Sequence, residues 1–469
     1  MDRWISILPL LVALAIALFS KSSVFALLIG VIIGVVLLGE NVLTGFSKVG
    51  ISALADENFI WVLLIQVFLS IMVAFFQKMG AVDIFSNAVS RKNIKRRGAQ
   101  VFAWFLGILI FFSEHLSALY VGTVMRGITD KARISREKLA YIIDSTSAPV
   151  CTIVPFSNWG VYMASLLVGT GLFVGKTEAM GAIFRMIPYN FYGIISVFFV
   201  GLIAIGIIPD FGPMKKAEQR AIETGAVYAV GSNPLIGKEM KDIVPQVIVR
   251  PNVILHFIVP LLIVALITII SFATIGEILI LEAFIATVFY QFAIMYLQKM
   301  CTLKEILDTA MAGVKSIVNA ILVTALAYCL NYITGHLGVK EFIMETTKPW
   351  LSPSYLWAAT FLTGFVVSFF TGTSWGNYAI LVPIMVPIAI GLSGGNETTL
   401  VYGTIAAIMG GVSFGEHCSP ISDSTILASL SAGSDHIDHV KTQLPYAITV
   451  GVIALILYLV IGILYGKIA

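Results

Sequence analysis

The stretch that decides the fold reads Gly410-Gly411-Val412-Ser413-Phe414-Gly415-Glu416-His417-Cys418-Ser419-Pro420-Ile421-Ser422-Asp423-Ser424-Thr425-Ile426-Leu427. Apolar sequence precedes and follows it, yet it contains two acids, a histidine, four serines, a threonine, three glycines and a proline. A segment of this composition inside a membrane must interrupt its helix, and the freed backbone groups must line something polar. We therefore interpret it as one half of a polar site within the bilayer, and expect the rest of the chain to supply the other half.

The whole chain has the composition of a multi-pass membrane protein. Of its 469 residues, 58% are hydrophobic and 12% are charged, and the mean hydropathy is +0.95, whereas soluble domains carry about 25% charged residues. No basic run is typical of nucleic-acid binding, so no nucleic-acid partner is expected. The four cysteines lack CxxC spacing, which argues against a disulfide or zinc framework. We predict no cofactor and no soluble catalytic domain, and therefore not an enzyme.

Apolar runs of about 20 residues predict about ten spanning helices. The runs 139–170 and 399–430 are too long for one straight span and contain prolines, so both are predicted to be interrupted helices. The predicted spans are 4–20, 22–39, 58–77, 139–170, 184–208, 252–274, 275–297, 314–335, 399–430 and 443–467.

Lysine and arginine predict the sidedness of the loops. Basic clusters at 91–97 and 126–138 flank the apolar segment 99–125, and the positive-inside rule assigns both to the cytoplasm. Segment 99–125 is therefore predicted to be a re-entrant helical hairpin. The basic linker 209–250 is also predicted to be cytoplasmic. With 209–250 in the cytoplasm, the spans that follow place both ends of 356–393 on the outside. This segment is therefore predicted to be a second hairpin, which enters from the opposite face.

Short internal matches indicate an inverted duplication. Phe111-Phe112-Ser113 aligns with Phe369-Phe370-Thr371, and Ser147-Ala148-Pro149 aligns with Cys418-Ser419-Pro420. Inverted repeats with broken helices are typical of secondary transporters, whose sites lie near the bilayer midplane. The predicted fold class is an all-α polytopic membrane protein with two inverted-topology repeats. The predicted domains are a first repeat over 1–208, the linker over 209–250 and a second repeat over 251–469.

Oxygen-bearing side chains in the broken helices and hairpin tips are the predicted ion ligands. Carboxylates, hydroxyls and freed carbonyls suit Na⁺ better than zinc or copper. An acid deep in lipid is costly unless it is paired or solvated, which makes it a functional candidate. The predicted Na⁺ ligands are Asp423 and Asp144 as the main pair, with Glu114, Ser422 and Thr373.

The same elements offer groups for an organic solute. A helix amino end in the segment 371–377 would attract a carboxylate. The predicted solute-binding residues are Ser113, His115, Asn158, Trp375, Asn377, Ser419, Glu416 and His417. Structural alternatives stay open: Asp144 as a helix cap at the cytoplasmic edge, and Glu416 with His417 as a structural ion pair. Residues 435–441, with His436 and His439, are interpreted as a solvated charged loop.

These motifs resemble the NhaC family of Na⁺/H⁺ antiporters. The resemblance rests on residues 415–425, 435–446, 121–146 and 371–376, and it spans most of the chain. It implies an ion-transporter fold with two inverted repeats and two hairpins in the lipid bilayer, usually as a homodimer. Relatives exchange carboxylates such as malate and lactate, or take up amino acids with sodium. One departure is the tip Ser113-Glu114-His115, where such antiporters tend to carry an Asp-Asp-Tyr-type sequence.

Two functions therefore stay open. In the first, Na⁺ and H⁺ compete for Asp423, Asp144 and Glu114 during alternating access. In the second, Na⁺ drives transport of an amino acid or carboxylate held between the hairpin tips. The paired hairpins argue against a channel or receptor. We predict a sodium-coupled secondary transporter of the plasma membrane, with Na⁺/H⁺ exchange favoured over solute transport.

The first prediction concerns Asp423. Replacing Asp423 with Asn should abolish the sodium dependence of transport under either function, because the amide keeps the shape of the side chain but removes its charge. Transport in proteoliposomes across a range of Na⁺ concentrations measures this dependence. An unchanged sodium affinity in the variant would remove Asp423 from the ion site.

Overall fold

A computed structural model describes residues 3–20, 23–81, 95–168, 170, 172–173, 175–232, 252–275, 279–339, 352–420 and 422–468. All regular structure within these residues is helical, which confirms the all-α class. The α-helices are α1 (Leu8–Ser20), α2 (Ser23–Leu37), α3 (Val42–Leu54), α4 (Glu57–Lys78), α5 (Arg96–Leu109), α6 (Glu114–Lys131), α7 (Arg136–Ile153), α8 (Asn158–Val168), α9 (Lys176–Met186), α10 (Phe191–Ile205), α11 (Gly212–Thr224), α12 (Val259–Ile275), α13 (Ile280–Leu297), α14 (Leu303–Ser316), α15 (Val318–His336), α16 (Pro353–Thr371), α17 (Trp375–Leu392), α18 (Thr399–Cys418), α19 (Asp423–Ala432) and α20 (His436–Ile468).

The helices have the lengths and composition of a polytopic membrane protein. In the part of the chain that is described, α4, α13, α16, α17 and α20 are each long and apolar enough to cross a membrane. Four bent pairs reach the same length together: α2–α3, α7–α8, α9–α10 and α14–α15. The apolar runs of the sequence thus form helices, in which the backbone N–H and C=O groups bond to one another, as the interior of a bilayer requires.

Both predicted hairpins are helix–turn–helix units. In the first, residues 110–113 join α5 to α6, and Ser117 Oγ donates to Gly107 O (3.3 Å) from one arm to the other. In the second, residues 372–374 join α16 to α17. Gly372 has a φ of 68° there, in the left-handed region where a side chain is strained. The face from which each hairpin enters stays a prediction.

The two long apolar runs are interrupted, as predicted. The break between α7 and α8 contains Pro155, and the break between α18 and α19 contains Pro420. A serine caps the helix that follows each break: the hydroxyls of Ser157 and Ser422 accept the backbone N–H three residues on (3.1 and 3.5 Å). The alignment of Pro149 with Pro420 is therefore wrong. Pro149 lies inside α7, and Pro155 occupies the matching position.

One contact has the geometry that a twofold duplication expects. Gln66 of α4 donates to Thr324 of α15 (3.0 Å), and the two residues are 258 positions apart. The same offset separates Phe111-Phe112-Ser113 from Phe369-Phe370-Thr371 at the two hairpin tips. Equivalent positions in two copies meet each other only on the axis that relates the copies. The order hairpin, then broken helix, also recurs in both halves. The domain boundaries themselves stay a prediction.

Three segments differ from the sequence interpretation. The predicted span 184–208 is broken at Ile187–Tyr189, because Pro188 cannot continue the helix, and its two parts bend by 52°. The supposed charged loop 435–441 is instead the first turns of α20 from His436 onward. Part of the linker, residues 233–250, lies outside the described residues, whereas α11 is docked on the bundle.

Ion pairs hold α11 against the bundle. Arg220 contacts Glu137 at the start of α7 (2.8 Å), and Glu218 pairs with Arg96 at the start of α5. Lys138 is fully buried and pairs with Asp210, just before α11. Buried charges of this kind need partners, so these contacts fix the start of α7, on which the site described below is built.

Glycines on α18 allow it to pack closely against α16. A Cβ atom at Gly411 would lie 2.3 Å from the Phe361 carbonyl oxygen, and one at Gly415 would lie 2.5 Å from the Phe365 oxygen. Backbones this close leave no room for a methyl group, so small residues are what permits the packing. The contact positions the carboxyl-terminal end of α18, which carries Glu416 and His417.

We predict that replacing Gly411 with Ala destabilises the protein. Overpacking typically costs about 1–3 kcal/mol, because here the new methyl group meets backbone that cannot rotate away. Thermal denaturation in detergent measures the loss as a lower Tm. Gly181→Ala in α9 is the matched control, since nothing lies within 4 Å of a Cβ there, and its Tm should stay the same or rise. Equal Tm values for wild type and Gly411→Ala would contradict the close packing.

Candidate functional site

The centre of the candidate site is the Asp144 carboxylate in the middle of α7. The residue is fully buried, at 0% exposure. Its Oδ2 atom accepts hydrogen bonds from Thr425 Oγ1 of α19 (2.9 Å) and Gln443 Nε2 of α20 (2.6 Å). No donor among the described residues reaches the other oxygen, Oδ1. Asp144 is therefore not the helix cap considered above, but a buried charge with one oxygen satisfied and one open.

His417, at the end of α18, lies beside this carboxylate. Its Nδ1 is 2.8 Å from the Tyr192 hydroxyl of α10, and its Nε2 is 3.9 Å from Asp144 Oδ2. Its backbone carbonyl accepts from Gln443 Nε2 (2.9 Å). The structure thus pairs His417 with Asp144 and Tyr192. A structural ion pair between Glu416 and His417 is not what positions this imidazole.

Gln443 links the carboxylate to a further histidine. Both hydrogens of its Nε2 face acceptors, Asp144 Oδ2 and the His417 carbonyl, while its Oε1 is 2.9 Å from His439 Nε2. His439 is fully buried, although the sequence placed it in a solvated loop. The error arose from the charges at 435–441, which hid the helical spacing of His436, His439 and Gln443 on one face.

A second cluster joins the first hairpin tip to the second through Trp159 of α8. Glu114 begins α6 and is 2% exposed; its Oε2 accepts from Trp159 Nε1 (2.7 Å), and its Oε1 is 3.5 Å from His115 Nδ1. The Trp159 ring packs on Trp375 of the other hairpin, with centroids 4.6 Å apart. The Tyr162 ring also contacts Trp375 at 4.6 Å. We call these residues, with Tyr378, the aromatic cluster.

Tyr378 links the aromatic cluster to α18. Its ring packs on Trp159 with centroids 5.1 Å apart, and its hydroxyl donates to the Met409 carbonyl of α18 (3.4 Å). Glu416 and His417 lie at the end of that helix, and the Glu416 carbonyl lies 3.2 Å from Thr425 Oγ1. One side chain therefore contacts both the aromatic cluster and the helix that carries His417.

The other predicted residues are distributed around this region. Asp423 begins α19, but its side chain lies outside the described residues. The Ser422 hydroxyl is 3.0 Å from that of Ser424, and Ser419 Oγ donates to Phe369 O (2.7 Å), which ties the break to the second hairpin. Asn158 is the first residue of α8, and its Oδ1 accepts from the backbone N–H of the next residue, Trp159 (3.0 Å).

The tip of the second hairpin is held by Asn377. Its Nδ2 donates to Thr371 Oγ1 (2.8 Å) and to the Thr373 carbonyl, while its Oδ1 has no partner among the described residues. Thr373 thus contributes a backbone oxygen to the tip. In the first tip, Ser113 and His115 are half-buried and therefore accessible from the surface.

The predicted site residues left out seven members of the two clusters: Tyr192, Gln443, His439, Thr425, Trp159, Tyr162 and Tyr378. The aromatic ones lie on largely apolar helices, where no local pattern marks them, whereas His439 and Gln443 lie among the charged residues at the start of α20. A buried neutral polar side chain needs a partner, and this need is the one signal that the sequence offered.

We predict that Gln443→Met destabilises the fold more than Thr449→Val on the same helix. The first change removes a donor from buried Asp144 and from the His417 carbonyl, and an unsatisfied buried acceptor costs about 1–3 kcal/mol. The second removes only a bond to the Pro445 carbonyl of α20 itself (2.7 Å). Thermal denaturation of both variants in detergent measures the difference, and equal losses would contradict the assigned role of Gln443.

Comparison with known proteins places the chain among transporters. It is 29% identical to an uncharacterized protein of Haemophilus influenzae, over 99% of this chain and 92% of that one. It is also 33% identical to the malate-2H⁺/Na⁺-lactate antiporter of Bacillus subtilis, over 35% of this chain and 34% of the relative.

Its fold is similar to that of the YdaH transporter of Alcanivorax borkumensis, whose crystal structure has been described as having an unusual topology. The TM-score is 0.56 at 10% sequence identity, over 88% of this chain and 86% of that one. At this identity the likeness concerns the fold alone. Residues 150–463 match the Na⁺/H⁺ antiporter family, and this segment contains both His417 and Gln443. The chain therefore belongs to the Na⁺/H⁺ antiporter family, whose members are secondary transporters.

Proposed function

We propose that this protein exchanges Na⁺ for H⁺ across the plasma membrane, and that both ions compete for Asp144. The observation that carries the proposal is the state of this carboxylate: it is fully buried, and the described residues leave Oδ1 without a donor. A buried ionised carboxylate is costly without a compensating charge. Either a proton or a sodium ion supplies that compensation, and the two exclude each other.

The neighbours of Asp144 suit both occupants. Oxygen atoms close to the carboxylate include the Thr425 hydroxyl and the Glu416 carbonyl, which are hard ligands of the kind that Na⁺ prefers. The Thr425 hydroxyl has two acceptors within reach. It donates to the ionised carboxylate, and can donate to the Glu416 carbonyl instead when Asp144 carries a proton. Exchange of the two ions then needs only a hydroxyl rotation in this part of the site.

Asp423 and Glu114 are proposed as supporting acids. Asp423 is the first residue of α19, two positions before Thr425, whose hydroxyl donates to Asp144. Glu114 lies at the hairpin tip and pairs with Trp159, and its role would be at the access path. Further parts of the proposal are that the protein works as a homodimer and that the hairpins alternate in opening the site.

Asp144→Asn should abolish exchange. The amide cannot carry the charge that attracts Na⁺, and it cannot take up a proton near neutral pH. We expect the pH change driven by a Na⁺ gradient in proteoliposomes to fall to that of protein-free vesicles. Internal pH is followed with a trapped fluorescent dye.

The control is Asp308→Asn, because Asp308 is exposed on α14. This variant loses the same charge at the surface and should exchange like wild type. Exchange at the wild-type rate in Asp144→Asn would contradict the proposal. Circular dichroism and thermal denaturation of both variants show whether the fold is retained.

The aromatic cluster favours a second candidate function, sodium-coupled exchange of an organic solute. Four aromatic rings beside the buried Glu114 carboxylate are suited to a protonated amine, through cation–π contacts and charge. The same vesicles distinguish the two functions when labelled amino acids and carboxylates are added. A Na⁺ flux that requires such a solute would favour the second function, whereas Na⁺-driven pH change without any solute supports the first.

A further inference from the structure

A separate titratable cluster lies next to Asp144 and has no part in the exchange described above. It consists of His436 and His439 on α20, with Ser429 of α19 between them. Ser429 Oγ is 3.0 Å from His436 Nδ1 and 2.8 Å from His439 Nδ1. His439 is fully buried and His436 is half-buried. The His436–Ser429–His439 cluster therefore extends from the interior toward the surface.

The outer nitrogen of each imidazole already faces an acceptor. His436 Nε2 is 2.7 Å from the Pro420 carbonyl, which can only accept. His439 Nε2 is 2.9 Å from Gln443 Oε1, and the orientation of that amide is set because its Nε2 faces two acceptors, Asp144 Oδ2 and the His417 carbonyl. Both Nε2 atoms therefore carry a hydrogen. In neutral rings, both Nδ1 atoms are then acceptors.

Counting hydrogens shows what this arrangement requires. The Ser429 hydroxyl has one hydrogen, and it faces both Nδ1 atoms and the Thr425 carbonyl (2.8 Å). With both rings neutral, at least one Nδ1 has no donor from this hydroxyl. One added proton satisfies both nitrogens: the charged ring donates to Oγ, and the hydroxyl donates to the neutral ring. Two added protons would place two positive charges on one oxygen, which like-charge repulsion opposes.

Several charged groups surround the cluster and set its electrostatics. Asp144 and His417 both act on His439, and Arg136 donates to the Gly433 carbonyl (3.0 Å) at the end of α19. Asp435 caps α20 and accepts from the Asp438 backbone N–H (3.0 Å). The charged and titratable side chains on the elements packed around the cluster are Asp144, Arg136, Glu137, Glu416, His417, Arg126, Asp130, Asp435, Asp438 and Glu218.

We propose that the His436–Ser429–His439 cluster binds one proton, and that this proton opposes Na⁺ at Asp144. His439 and Asp144 are joined by one residue, Gln443, which touches both. The Gln443 amide neither gains nor loses a proton, so the link acts through charge. A proton on the cluster disfavours a cation at Asp144, and by reciprocity Na⁺ at Asp144 favours release of the proton. The sodium part of this inference rests on the proposed function, whereas the proton count does not.

The position of the cluster indicates from which side of the membrane the proton comes. Arg136 ties the end of α19 to the basic segment 126–138, which the positive-inside rule assigns to the cytoplasm. His436, the half-buried ring, is the member nearest the surface. Cytoplasmic acidification would then load the cluster and favour release of Na⁺ from the site.

Histidine NMR tests the proton count directly. The chain has six histidines, so ¹⁵N-histidine-labelled protein in liposomes gives few signals, and His436→Gln and His439→Gln assign two of them. Across the pH range in which the protein stays folded, we expect the two rings together to take up one proton. In Ser429→Ala, which removes the bridging hydroxyl, the two rings should titrate separately.

Sodium binding tests the link. On acidification, the affinity for radiolabelled Na⁺ should fall about tenfold more in wild type than in His439→Gln. A tenfold difference in affinity corresponds to about one pKa unit. His336→Gln is the matched control. His336 is exposed at the end of α15, and its one hydrogen bond within the described part of the chain is to the Tyr332 carbonyl of the same helix. The pH dependence of Na⁺ binding to His336→Gln should therefore equal that of wild type.

The outcomes separate the two proposals. Rings that stay neutral across this pH range, or that take up two protons, would overturn the one-proton site. If the protein binds Na⁺ and the cluster takes up its one proton with the same pH dependence with and without Na⁺, the link alone is overturned. If wild type binds no Na⁺, the proposed exchange fails and the link fails with it, while the NMR titration still decides the proton site.

Discussion

The structure depends on one constraint: a carboxylate in the middle of a buried helix must be given partners. Asp144 has no exposure, and an unpaired charge there would cost more than most single contacts contribute. Three other helices meet this need. α19 supplies Thr425, α20 supplies Gln443, and α18 supplies His417. One oxygen is satisfied in this way and the other is not, at least by the described residues, and this asymmetry is what makes the site suited to a small cation or a proton.

The helix breaks and the glycine contacts place the partners of Asp144. A continuous helix from 399 to 432 could not place both Glu416 and Thr425 on the Asp144 side, and the break at Pro420 lets α19 change direction. The approach of α18 to α16 at Gly411 and Gly415 then fixes where the break lies. The matching break at Pro155 places Trp159 against Glu114. Two interruptions of the same kind thus build a carboxylate cluster around Asp144 and an aromatic cluster beside Glu114, each with residues from both halves.

These two clusters differ in chemistry. Around Asp144, the partners are hydroxyl, amide and imidazole groups. Around Glu114, they are the Trp159 indole N–H and the His115 imidazole, next to the aromatic cluster. Tyr378 packs on Trp159, and its hydroxyl donates to the Met409 carbonyl of α18. A movement of α18 is therefore transmitted to the ring that holds Glu114. This arrangement suits a transporter in which an ion at one position alters the occupancy of a second.

The sequence by itself determined the membrane class, the two helix–turn–helix units and the two broken helices, and it named Asp144 among five candidate ion ligands. Length, proline and basic-residue patterns are local, and they act through the backbone and the bilayer wherever the chain lies. Only the tertiary structure decided the partners of that acid. Thr425, Gln443 and Tyr192 lie more than 200 residues from the groups they contact. It also moved His439 from a supposed solvated loop into the interior. Such contacts depend on the angles at which helices cross, and no pattern within a single helix sets those angles.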